Sequence, residues 1–203
     1  MLHELDDYVA PGSTVAVVSA VEPPLPGFAN LRASWTSGDP TRRAVLEALD
    51  VGRFDHIIVL ADSLEPDRQR ADSRTLVTLL QLRDLSETGG FDLNIVSEML
   101  DDANRELAEV TRADDLIVSD RLIALLLSQI SENRRLTDVF ETLFSSAGSE
   151  IYLNPARDYV LPGHPVDFYA VLEAARRRGE TAIGYRLAAD AHSSSRGYGV
   201  RVN

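Results

Sequence analysis

An α/β fold, with a parallel sheet and helices on both of its faces, is predicted for residues 1–119; a helical pair and a small α+β lobe follow. Three observations predict it. Short apolar runs without alternation recur at TVAVVSA (14–20), FDHIIVLAD (54–62) and DLIVS (115–119), and strands covered on both faces read this way. Stretches with helical spacing fall between them, the pattern of strand–crossover–strand units. After residue 119 the pattern turns helical, and after Gly148 it becomes a mixture of short strands and one helix.

The elements follow in order. TVAVVSA ends at VEPPLPG (21–27), where three prolines enforce a loop. A weaker strand then runs to Thr36. Asp39 and Pro40 supply an N-cap and a first-turn proline for a helix carrying Val45, Leu46 and Leu49. FDHIIVLAD reads as a fully buried strand. SRTLVTLLQLRDL (73–85) is a helix with Leu76, Leu79, Leu80 and Leu82 on one broad face. Leu93 to Val96 is the next strand, Asp102 caps a short helix from Ala103 to Val110, and DLIVS is the last strand of the lobe.

The helix from Asp120 to Ser131 carries Leu122, Ile123, Leu125, Leu126, Leu127 and Ile130 around most of its circumference. A helix apolar on nearly every side has to be covered on two sides, and one sheet covers one. It is either sandwiched between two lobes or half of a hairpin at a subunit interface, and the second reading is preferred. Its companion has Leu136, Val139, Phe140, Leu143 and Phe144 at i, i+3, i+4, i+7 and i+8, beyond the polar turn SENRR (131–135). The remaining lobe is built from SEIYLN, RDYVLPG, the helix PVDFYAVLEAARRRG and ETAIGYRL, and it ends in a Ser- and Gly-rich tail with a hint of strand at YGVRVN.

Composition narrows function. With 32 acidic and 20 basic residues the net charge is −12, which disfavours nucleic acid and anionic lipid. The run Arg176-Arg177-Arg178 reads as a solvated helix end opposing the C-terminal dipole. The absence of cysteine excludes a thiol nucleophile and a Cys-ligated zinc site. MLHELDDYVAPGS has no features of a signal peptide, and LIALLL is far short of a membrane span.

No GxGxxG, GxxxxGK[ST] or GxSxG motif is present. His3, His56, His164 and His192 show no HxxxH or HExxH spacing, and His56 reads as a structural residue. Six acids remain. Glu22, just beyond the first strand, sits where a dinucleotide fold holds ribose hydroxyls, while Asp39 and Asp62 follow strand ends at the edge where such sheets bind ligands. Glu98, Asp101 and Asp102 offer hard oxygen ligands to a divalent cation, without the spacing of a calcium loop. For all six, loop and cap roles compete with these functions.

VLADSLEPDRQRADSRTLVTLLQLRDL, then IVSEMLDDANRELAEVTRADDLIVSDRLIALLLSQISENRRLTDVFETLFSSAGSEIYLNPARDY, and finally AIGYRLA, resemble the cytosolic region of the CASTOR/POLLUX ion channels. More widely, they are similar to RCK (regulator of K+ conductance) domains. The resemblance is most specific from Ile95 to Tyr159. It implies a Rossmann-like N-lobe over 1–119, incomplete at its N-terminus, a helix–turn–helix crossover over 120–146 and a C-lobe over 147–203.

It also implies that the chain is no enzyme. The expected function is a ligand-sensing gating domain of a cation channel, on the cytoplasmic side of the membrane and joined to a pore domain in a longer protein. Leu122, Ile123, Leu126, Ile130, Leu136, Phe140 and Leu143 would pack against a second copy in a dimer or larger gating ring. Calcium or a nucleotide is the expected ligand; Glu22, Asp39 and Asp62 are the counterparts of a nucleotide site, whose glycine turn is missing here. Two alternatives stand beside this reading. A truncated NAD(P)-dependent oxidoreductase lacks a lysine and a well-placed histidine, and a stand-alone subunit of a potassium uptake system would have a first strand.

Overall fold

The computed structural model describes residues 1–104, 107, 115–146, 151–191 and 194–202. The chain divides into two compact units, Met1–Glu141 and Thr142–Asn203.

The first unit runs α1 (Leu2–Tyr8), β1 (Ser13–Ser19), β2 (Leu31–Ser37), α2 (Arg43–Ala48), β3 (Ile57–Val59), α3 (Arg68–Gly89), β4 (Ile95–Met99), β5 (Asp115–Val118) and α4 (Ser119–Glu132). Helix α5 (Leu136–Leu143) carries the chain across the division between units. Every strand pair here is parallel, so the predicted Rossmann-like α/β class is the one observed. The sheet is in two pieces, β1–β2 and β3–β4–β5.

Helix α3 is longer than its apolar core of 73–85 suggested. Asp67 caps its start by accepting from the Gln69 amide, and Gly90 ends it in the left-handed region at φ 68°. Its buried face, Asp72, Thr75, Leu79 and Leu82, recurs at helical spacing. Leu79, Leu82 and Leu85 join Leu46, Val51, Val59 and Ile95 in one core cluster. Each such side chain contributes about 2 kcal/mol by leaving water.

Several predicted details need correction. FDHIIVLAD forms only the three-residue β3, not a fully buried strand: Val59 enters the core, but Ile58 and Leu60 are exposed at 45% and 49%. Among the described residues β3 pairs with β4 alone, so one edge and part of one face stay open. Helix α2 begins at Arg43, not behind Asp39–Pro40, because the Asp39 carboxylate is taken by a turn onto Thr41. The strand placed at Leu93–Val96 lies two residues further on as β4. Of the helix expected from Ala103 to Val110, Ala103, Asn104 and Leu107 are described; Asp102 opens a 3-10 turn to Asn104.

The second unit contains α6 (Phe168–Arg177) and an antiparallel pair, β6 (Gly184–Arg186) with β7 (Val200–Val202), which is the strand hinted at in the tail. Asp167 caps α6 through the Ala170 amide at 2.8 Å. Before β7, Gly197, Tyr198 and Gly199 are all left-handed. A Cβ at position 199 would lie 2.4 Å from the Leu187 carbonyl oxygen, so only glycine fits there.

Candidate functional site

The carboxyl ends of the strands gather the polar side chains of the first unit. Arg74 of α3 reaches the Asp39 carboxylate after β2 at 3.1 Å and the Asp62 carboxylate after β3 at 3.5 Å. One guanidinium thus bridges the loops that follow the two sheets. Burial works to raise the Asp39 pKa, but the Thr41 hydroxyl and amide, with Arg74, outweigh it and hold Asp39 below the ordinary carboxylate range. Glu22 is exposed in the proline loop and has no hydrogen bond or ion pair with a described residue. The structure therefore joins two of the three candidate nucleotide-site acids, through an arginine the sequence reading passed over.

Glu98, Asp101 and Asp102 are each engaged separately. Glu98, on β4, accepts from the Ala61 amide at 3.1 Å and from the Ser119 hydroxyl. Asp101 accepts from the Ala103 amide at 2.9 Å, and Asp102 pairs with Arg121 at 2.9 Å. Among the described residues, no three His, Asp or Glu side chains converge where one cation could sit.

These contacts converge instead on the start of α4. Ser119 is held by Glu98, Asp120 by Arg68 of α3, and Arg121 by Asp102. Behind them lies a residue the sequence reading missed. Asp72 is fully buried and accepts from the Leu100 amide (2.8 Å), the Asp101 amide (3.0 Å) and the Asn104 side chain (2.8 Å). A carboxylate on the apolar stripe of α3 was the signal available, since a buried charge demands partners.

Beyond its anchored first turn, α4 has no buried residue, and neither has α5. Leu122 and Ile123 are exposed at 44% and 53%, Leu125 and Leu127 more so. Leu126, Ile130, Leu136, Phe140 and Leu143 are half-buried. The predicted polar turn separates the helices, with Asn133 at the end of α4. Among the described residues no helix is long and apolar enough to cross a membrane.

The fold is thus a Rossmann-like α/β lobe leading, through a helix anchored at its carboxyl edge, into an apolar helical pair. No family model matches the chain. It is 30% identical to the ion channel DMI1 of Medicago truncatula over 93% of its own length and 26% of that protein. For the ion channel POLLUX of Lotus japonicus the identity is 31%, covering 93% of the chain and 25% of the relative. For the ion channel CASTOR of the same plant it is 34%, covering 74% and 21%. Nearly the whole chain is related by descent to one region of the CASTOR/POLLUX-type ion channels, and it spans about a quarter of the length of the relatives it matches. All three relatives are named as ion channels.

Proposed function

We propose that this chain is the cytosolic, ligand-sensing regulatory domain of a cation channel, and that it assembles with further copies through α4 and α5. The observation that carries the reading is the way α4 is held. Its first three residues are tied to Glu98, Arg68 and Asp102, while the helix beyond presents Leu122, Ile123, Leu125 and Leu127 uncovered. Two of those anchors are acids that a divalent cation would use. A cation drawn to Glu98 competes with Ser119, and one drawn to Asp102 competes with Arg121, for the same oxygens, and so changes the hold on α4.

Coupling of this kind needs a ligand with different affinity for the two arrangements of α4. Calcium suits the hard carboxylate oxygens; a nucleotide at Glu22, Asp39 and Asp62 would instead engage Arg74. A linker to the pore domain would carry the movement to the channel. The relatives' names support a role in a channel, and the lack of a membrane-crossing helix among the described residues supports a role beside the pore.

The test is light scattering of the 203-residue chain with excess calcium and then with chelator. A calcium-dependent change in mass, lost in Glu98→Gln and Asp102→Asn, supports divalent sensing through the anchors of α4. An unchanged mass with no measurable calcium binding removes that ligand from the account.

A further inference from the structure

A groove of about 470 Å³ lies over the amino-terminal half of β1 and β2, at the opposite end of those strands from Asp39 and Arg74. The parallel register pairs Thr14 with Arg32 and Ala16 with Ser34, so these four side chains share one face of the two-stranded sheet. Thr14, Ala16 and Ser34 are small and make a low floor. Arg32 of β2, and Arg53 and Phe54 just ahead of β3, line it as well. The Arg53 guanidinium lies 4.9 Å from the centre of the Phe54 ring.

The charge of this groove sets it apart. In a chain with 32 acids and 20 bases, neither Arg32 nor Arg53 forms an ion pair with a described residue, and among the described residues no acidic side chain lines the groove. Two guanidiniums, two hydroxyls and one aromatic ring line this open groove.

We infer that this groove binds a small organic phosphate. Guanidinium forks match phosphate oxygens in paired hydrogen bonds. Two of them with the Thr14 and Ser34 hydroxyls offer more donors than one carboxylate accepts, whereas a phosphate monoester presents three terminal oxygens. The Ser34 hydroxyl now donates to the Val15 carbonyl at 3.3 Å, a long bond that a phosphate oxygen replaces easily. Phe54 supplies the apolar surface for the organic portion. The site is independent of the channel reading and of the acids at the carboxyl edge.

The experiment is a calorimetric titration of the 203-residue chain at constant ionic strength with phenyl phosphate, inorganic phosphate and benzoate. Phenyl phosphate binds most tightly. Arg32→Gln and Arg53→Gln each weaken it about tenfold, the effect of losing one charge-assisted contact. Ala16→Phe abolishes binding by filling the floor without changing charge, and Arg157→Gln, an exposed arginine of the other unit, has no effect. The inference is overturned by no saturable binding up to about 10 mM, by unchanged affinity in the Arg32, Arg53 and Ala16 variants, or by benzoate binding as tightly as phenyl phosphate.

Discussion

The buried Asp72 carboxylate accepts a hydrogen bond from the Asn104 side-chain amide at 2.8 Å, tying α3 to the turn after β4. Two backbone amides of the same turn also point at Asp72. Asp72→Ala leaves all three donors without their acceptor, and a loss of about 3 kcal/mol in unfolding free energy is expected. Asp72→Asn keeps the shape with one acceptor oxygen and loses less. Urea denaturation of both variants checks the order; equal, small losses would contradict it.

Arg74 gives a prediction of another size. Its ion pairs with Asp39 and Asp62 are 40% exposed on the arginine side, so solvent screens them. Arg74→Gln should cost less than about 1 kcal/mol. It should also move the Asp39 titration up toward the ordinary carboxylate value, as read by NMR. An Asp39 titration that stays put in the variant would show that Arg74 does not help to set it.

Asp39 and Asp6 determine a pH dependence. Burial pushes the Asp6 pKa up, but the amides of Ala29, Asn30 and Leu31 outweigh it, and like Asp39 it ends below its ordinary value. A depressed folded pKa means that the unfolded chain binds protons first. The stabilising contribution is therefore complete above the unfolded value of about 4 and is lost as pH falls through the folded one. Midpoints of urea unfolding should be level from pH 7 to about 5 and then fall, with a shallower fall in Asp39→Asn.

Two hydroxyls between α3 and the sheet point the other way. Thr75 and Ser97 are buried to 2% and 1% exposure, and among the described residues neither hydroxyl oxygen has a hydrogen-bond partner. Removing an unsatisfied buried hydroxyl relieves its desolvation cost. Ser97→Ala and Thr75→Val are expected to be neutral or stabilising by up to about 1 kcal/mol in thermal denaturation. A loss of stability above that size in both would contradict the reading.

How far this molecule can be read from its sequence depends on which partner a residue needs. The cores of α3, α4 and α5 were legible because apolar stripes at helical spacing are local. The runs that became β1 and β5 were legible for the same reason. The openness of β3 was not, since the same apolar run serves a covered strand or an edge, and neighbouring elements decide. The start of α2 was misplaced because Asp39 is claimed by Thr41 and by Arg74, the latter 35 residues away. Asp72 has its partners 28 to 32 residues on, beyond any local pattern. The six acids were found by their places after strands or in an acidic turn, but the arginines that hold Asp39, Asp62 and Asp102 were not.

The central claim is that the apolar helices α4 and α5, with Leu122, Ile123, Leu125 and Leu127 exposed, are an interface between copies. The direct test is the mass of the 203-residue chain by light scattering across a concentration series, beside a Leu122→Asp, Ile123→Asp variant. Both positions are exposed, so the variant folds, as circular dichroism would verify. The account predicts a dimer or larger ring for the parent chain and a monomer for the variant. A parent chain that stays monomeric as concentration rises, or a variant that assembles as the parent does, contradicts it.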